Sequence, residues 1–367
     1  MGKFKSYPPN ALEEAHETYR SSNGKKEVKY PFAFKDLDWE AYHRFRPIYP
    51  DSMMKIWQSK LFMLRHLILY DVTTAEVFYK RKCITKKQKG YPITKTKATG
   101  LSSQLTTSVQ VIVSDAGKAN LVAAKDMLSS SASTTENGSK FTFVHSPAEC
   151  VHNSIPTSSI DFASVAMAFH YFDAPNAIKS IAATLKPGAT LAAVTYGFML
   201  KFPGRPNLDK LWYRAASKES LRLIREGLFP AAVKGLAAAM SGLDFVPLPL
   251  ELFKPGARRI WVNVDEADER PLYFVDEDRS CWEPAPNRVG PTDSRQFVKD
   301  QSWRRKADAA WLRGFLASCQ MGFGQQTWET DEWKELEGAV LSAGGQVTVE
   351  WPIAMILGTR NDKPVVW

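Results

Sequence analysis

The stretch from Ser159 to Gly197, SIDFASVAMAFHYFDAPNAIKSIAATLKPGATLAAVTYG, limits what this chain can fold into more than any other part of it. Asp161 to Phe169 is short and almost continuously apolar, the pattern of a strand buried on both faces inside a parallel sheet. His170-Tyr171-Phe172-Asp173 interrupts it with polar and aromatic side chains. From Ala174 to Leu185 the spacing is helical: Ile178, Ile181, Ala182 and Leu185 share one face, and Lys179 takes another. Lys186-Pro187-Gly188 stops that helix, because Pro cannot continue it and Gly accepts a left-handed turn. Thr190 to Tyr196 is a second apolar strand. Strand, helix and strand within about forty residues make a right-handed crossover of an open α/β sheet.

The flanking segments extend the alternation. Val109 to Ser114 reads as a strand ending in Asp115, Lys118 to Leu128 as a helix, and Phe141 to His145 as a strand. Asp51 caps a helix that begins after Pro50. Leu211 to Leu243 and Gln296 to Cys319 read as largely helical, and Ile260 to Val264 as a strand. Asp331 to Ser342 reads as an amphipathic helix capped by Thr330 or Asp331 and ended by Gly344-Gly345, before a last strand from Val347 to Leu357.

Composition narrows the class. An apolar fraction of 44% in 367 residues allows a sizeable core. No run is long and apolar enough to span a membrane, and the N-terminus lacks the apolar core of a signal peptide. Cys83, Cys150, Cys281 and Cys319 stand far apart, without zinc-ligand spacing. They read as free thiols in a reducing compartment, so a cytoplasmic protein without a metal site is expected. The net charge of +9 is local: Lys60 to Lys97 holds ten basic and two acidic residues, or +8 of it. Such a confined charge argues against a nucleic-acid face. No G-x-G-x-x-G occurs, which argues against a nicotinamide oxidoreductase.

In doubly wound sheets, ligands sit at the carboxyl ends of the strands. Four features fall there. Gly100 opens a helix-like segment and lets a backbone approach a ligand closely. Asp115 ends a strand, where an acid accepts hydrogen bonds from ribose hydroxyls. Ala148-Glu149 follows the next strand, and His170-Tyr171-Phe172 follows the one after that.

On these residues the chain resembles the class I S-adenosylmethionine-dependent methyltransferases, and within them the trans-aconitate methyltransferase type of fungal small-molecule metabolism. The matching motifs are AYHRFRPIYP (Ala41 to Pro50), SDAG (Ser114 to Gly117), PAE (Pro147 to Glu149) and AFHYFDAPNAIKSIAATLKPGATLAAVTYG (Ala168 to Gly197). WPIAMILGTR fits the final strand. The resemblance implies an α/β, Rossmann-like doubly wound sheet, mostly parallel with an antiparallel last strand, plus a helical lid insertion. It implies a flexible arm over residues 1–30, a cofactor-binding half over 31–197, a substrate lid over 198–346, and a final strand and tail over 347–367.

It also implies a site for S-adenosyl-L-methionine. Asp115 would hold the ribose, Ala148 and Glu149 would lie beside the adenine, and Phe169 and His170 would line the floor near the methionine. Tyr42, Arg46 and Tyr49 would close from the N-terminal side, Arg46 pairing with the methionine carboxylate. The expected reaction is methyl transfer to an oxygen (carboxylate or hydroxyl) or nitrogen of a small molecule, with His170 the candidate base and Trp282 and Trp303 candidate substrate contacts. A monomer or homodimer is expected. Plainer readings stand beside these: Asp115 as a turn residue, Glu149 as a solvated acid, His170 as a packed strand end, Arg46 paired with Asp36 or Asp38, and the tryptophans as core.

One family motif is broken. Its first strand should end in D-x-G-x-G-x-G. Here His66 to Glu76 (HLILYDVTTAE) offers the strand and acid without the glycines, and Ala98-Thr99-Gly100 offers a second half. The basic segment 60–97 is then an insertion that splits the motif, or a foreign stretch such as a translated intron. A Cβ where the protein backbone must approach the ligand weakens binding. The alternative function is therefore a catalytically inactive methyltransferase-like binding or regulatory protein, or a defective gene product.

Overall fold

A computed structural model describes residues 18–20, 26–28, 42, 44–58, 66–70, 110–132, 140–226, 238–239, 241–267, 272, 285–319 and 322–366. In chain order, a hairpin of β1 (Thr18–Arg20) and β2 (Lys26–Val28) precedes α1 (Asp51–Gln58) and β3 (His66–Tyr70). Next come β4 (Gln110–Asp115), α2 (Lys118–Ala132), β5 (Lys140–His145), β6 (Ile160–Ala166), α3 (Ala174–Thr184) and β7 (Leu185–Tyr196). Then follow α4 (Pro206–Arg225), β8 (Arg258–Val262), β9 (Ser294–Val298), β10 (Arg304–Ala307) and α5 (Ala309–Ser318). The chain continues with α6 (Gln325–Trp328), α7 (Asp331–Ser342), β11 (Val347–Glu350) and β12 (Ile353–Thr359).

Among the described residues the main sheet has eight strands in the order β5-β4-β3-β6-β7-β12-β8-β9. β3 pairs in parallel with β4 (His66 against Gln110) and with β6 (Leu67 against Phe162), and β4 pairs in parallel with β5. The final strand runs the other way along β7: the Gly188 amide donates to Arg360 O at 3.0 Å and the Gly197 amide to Pro352 O at 2.9 Å. The sheet is thus Rossmann-like and mixed, mostly parallel. HLILY is an interior strand between β4 and β6, so at least these residues of the 60–97 segment are built into the fold; 71–109 lies outside the described residues.

The chain divides into two units, with the boundary passing through β7 and β12. The second unit comprises 53–193, 247–257 and 356–367. Its core follows the expected pattern: β6 is buried on both faces, and Ile178, Ile181 and Ala182 of α3 face inward. Asp173 caps α3 by accepting from the Asn176 amide. β7 begins at Leu185, directly after α3 and ahead of the Thr190 start expected from the sequence, and within it Gly188 takes φ +80°, a left-handed conformation that glycine tolerates. The Arg360 guanidinium, itself buried, donates to the carbonyls of Ala182, Leu252, Asn361 and Lys363 and ties the tail down.

The first unit comprises 1–52, 194–246 and 258–355. It holds β8 parallel to β9 and the antiparallel pair β10–β11. Its core is aromatic: Phe315 stacks on Trp311, and Trp351 meets both edge-on. The helix expected over Gln296 to Cys319 is instead β9, a 3₁₀ turn at Gln301–Trp303, β10 and α5. Two aspartates divide it. Asp300 accepts from the Ser302 amide and Asp308 from the Trp311 amide, each starting a new element. The last strand is likewise broken in two, at Trp351-Pro352.

Candidate functional site

Parallel pairing lines up the carboxyl ends of β3, β4, β5 and β6. Tyr70 stands opposite Ser114 and Val165, and Asp115 opposite His145. On this rim of the second unit the chain gathers Asp115, Ala148, Glu149, Phe169 and His170 from strand ends and the turns that follow.

Asp115 is the best-defined member. Its Oδ1 accepts from the Gly117 amide at 2.6 Å and from Asn120 Nδ2 at 3.2 Å. This is an Asx turn closed by the first turn of α2. Among the described residues no hydrogen bond reaches its other oxygen. Burial pushes the carboxyl up to about 6, against the two hydrogen bonds and the attraction of His145, which pull it down. His145 is held by its Nε2 contact to Ala116 O at 2.9 Å. An acid with one oxygen held by the protein and one open, poised near neutrality, suits a ligand hydroxyl.

Ala148 is buried in the 3₁₀ turn Ala148–Asn153. Glu149 is engaged with the fold: its Oε1 accepts the Asp173 amide at 2.7 Å, tying that turn to the start of α3. Burial raises its pKa, against hydrogen bonds from its own and the Asp173 amides. Met167 holds φ at +51°, an uncommon conformation for a side-chain-bearing residue, costing roughly 1–3 kcal/mol and concentrated at functional sites. It sets the turn that follows β6. There Phe169 packs in the core, edge-on to Phe172 at 5.5 Å, while His170 is half-buried with its ring 4.0 Å from that of Tyr171.

In the first unit, Tyr42, Arg46 and Tyr49 are brought together and buried. The Arg46 guanidinium lies 4.7 Å from the Tyr42 ring centre and donates to Tyr196 Oη at 3.4 Å and to Ser318 O at 2.5 Å. Among the described residues its Nε–H, also buried, has no partner. Burial works against its charge, yet Tyr196, Cys319 and Tyr42 hold its pKa well above the ordinary value. Among the described residues no carboxylate pairs with it, in contrast to Arg259, which meets Asp293 at 2.7 Å. A buried cation with a spare donor suits an anionic group. Trp303 is 2% exposed and packs edge-on to Tyr49, as core.

Gly100 and Trp282 lie outside the described residues. Asn120, His145 and Met167 in one unit, and Tyr196 and Ser318 in the other, were not singled out in the sequence. Only the Asp-x-Gly turn at 115–117 carries a local signal for its partner. A groove of about 470 Å³ between α4 and α7 carries Glu219, Arg222, Lys218 and Glu332, but these charges pair with one another. Among the described residues no cluster of His, Cys, Asp or Glu could hold a metal ion, and no helix is long and apolar enough to cross a membrane.

No family model matches the chain. It is 26% identical over 215 residues to the methyltransferase gedG of Aspergillus terreus, a match covering 57% of this chain and 65% of that protein. It is 26% identical to the methyltransferase tpcM of Aspergillus fumigatus, over 60% of this chain and 68% of that protein. To the methyltransferase AacuQ of Aspergillus aculeatus it is 25% identical, over 68% and 76%. The chain thus spans just under two thirds of the first of these relatives. The sheet is Rossmann-like, and the proteins that share its sequence pattern are fungal methyltransferases.

Proposed function

We propose that the protein transfers the methyl group of S-adenosylmethionine to an oxygen, of a carboxylate or hydroxyl, or to a nitrogen of a small molecule. The observation that carries this reading is the Asp115 turn on the carboxyl rim of the sheet, with one carboxylate oxygen bound by Gly117 and Asn120 and the other open. The names of the fungal relatives agree with it. The residues present fit the ribose end of such a donor.

When bound, S-adenosylmethionine supplies a methyl group on a positively charged sulfur. The protein's part is placement. Ionised Asp115 would accept ribose hydroxyls and the turn at Ala148-Glu149 would border the adenine, while buried Phe169 anchors the turn that carries His170. Tyr42, Arg46 and Tyr49 would serve a carboxylate. A carboxylate acceptor is already ionised and needs only alignment for in-line displacement. A hydroxyl acceptor gives its proton to the His170 ring as its oxygen attacks. Residues 198–346 would choose the acceptor, and exchanging them with a relative's should carry selectivity along.

Calorimetric titration of the full chain with S-adenosylhomocysteine tests the reading directly. Saturable binding is expected, weakened by Asp115→Ala. No heat at millimolar ligand would overturn the enzyme reading and leave the inactive, binding-protein alternative.

A further inference from the structure

Three successive residues of the N-terminal segment are fastened to one stretch of the first unit. The Arg44 carbonyl accepts from Trp311 Nε1 and from Arg305 Nη1, each at 3.4 Å, and the Arg305 guanidinium lies 4.4 Å from the Trp311 ring centre. Arg46 reaches Ser318 O, the last residue of α5. Between them Phe45, 9% exposed, lies against Gly314 in the middle of α5. A Cβ on Gly314 would overlap three carbons of the Phe45 ring. Gly314 has a negative φ, so no left-handed turn demands it, and glycine inside a helix otherwise lowers stability. What remains to explain it is the ring.

We propose that Gly314 is a positioning residue for Arg46: α5 keeps a side-chain-free seat there, Phe45 occupies it, and the seat fixes where the neighbouring guanidinium is presented. This rests on the reading that Arg46 takes a carboxylate. The orphan Nε–H of Arg46 is the group whose placement matters, and it is buried with the rest of the side chain. A ring pushed off α5 carries Arg46 away from Ser318 and from the Cys319 thiol that its guanidinium contacts, and so uncovers that buried thiol at the same end of the helix.

The test uses the full chain and two readouts. Alkylation of Cys319 by iodoacetamide, mapped by mass spectrometry, reports the seat without any ligand. Calorimetry with S-adenosylhomocysteine reports the carboxylate site. Gly314→Ala is expected to lower the thermal unfolding temperature, because displacing a buried ring outweighs the gain of alanine in the helix, while well below that temperature Cys319 reacts at least about tenfold faster and affinity falls at least about tenfold. Adding Phe45→Leu, whose shorter side chain fits beside a methyl group, should restore both. Should Gly314→Ala fail to fold, Phe45→Ala, which leaves α5 untouched, is expected to expose Cys319 in the same way. Cys319 protection at the wild-type level in either variant overturns the seat. If wild type binds no S-adenosylhomocysteine, the methyl-donor reading falls, and the Cys319 comparison alone decides the seat.

Discussion

Asp115→Asn separates what the acid contributes to a ligand from what it costs the fold. Asparagine retains an oxygen that accepts from Gly117 and Asn120, and removes a charge that burial disfavours. In the fold the carboxyl titrates at about 6; in an unfolded chain it titrates at about 3.9. A carboxyl raised in this way holds its proton more tightly when folded. Its contribution to stability is therefore full below about pH 4 and is lost as pH rises to about 6. The roughly two units correspond to about 3 kcal/mol at neutral pH. The substitution should stabilise the protein at about pH 8 by up to about 3 kcal/mol, less the attraction of His145 that disappears with the charge, and by nearly nothing at about pH 4. Urea unfolding midpoints at the two pH values measure this, with m-values checked for constancy. Affinity for S-adenosylhomocysteine in wild type should rise with pH through about 6 and should fall in the variant at neutral pH. An equal change in stability at both pH values, or a loss at the higher one, would refute the reasoning: the burdened charge would not be that of Asp115.

Three further outcomes are expected. Arg46→Met should cost roughly 1–3 kcal/mol in urea unfolding, because it takes the donor from the buried Ser318 carbonyl and Tyr196 hydroxyl, while weakening S-adenosylhomocysteine binding at least about tenfold by calorimetry. Asp173→Ala removes the cap of α3 and should cost about 1 kcal/mol in urea unfolding. Gly188→Ala meets no neighbouring atoms but must keep a positive φ, so it should cost roughly 1–2 kcal/mol by the same measurement.

Where structure is decided locally, the residues announce it. The doubly buried pattern of β6, the Lys-Pro-Gly stop and the Gly344-Gly345 end of α7 all appear where the spacing places them. The reading of Gln296 to Cys319 as helix failed because Asp300 and Asp308 accept from amides two and three residues on and restart the chain. Apolar spacing does not register that competition. Arg46 shows a different limit. Asp36 and Asp38, its surface partners in one reading of the sequence, lie outside the described residues; Arg46 itself is buried against Tyr196 and Ser318, 150 and 272 residues away. Nor does any local pattern link Phe45 to Gly314. Glu149 was legible as a residue of the rim, but not that its carboxylate would be held by the start of α3.

The position of β12 has a consequence for biosynthesis. It stands between β7 and β8, yet the chain makes it after both. At ordinary translation rates, on the order of ten to thirty seconds separate the emergence of β7 from that of its neighbour. For that interval the edge of an almost wholly apolar strand has no partner on that side, and β8 and β9 cannot join the sheet through their adjoining strand. A released chain truncated before Ile353 should therefore associate with chaperones or aggregate, whereas one that includes Thr359 should not. The order in which strands leave the ribosome, and not only their order in space, then sets which edge of the sheet waits longest for its neighbour.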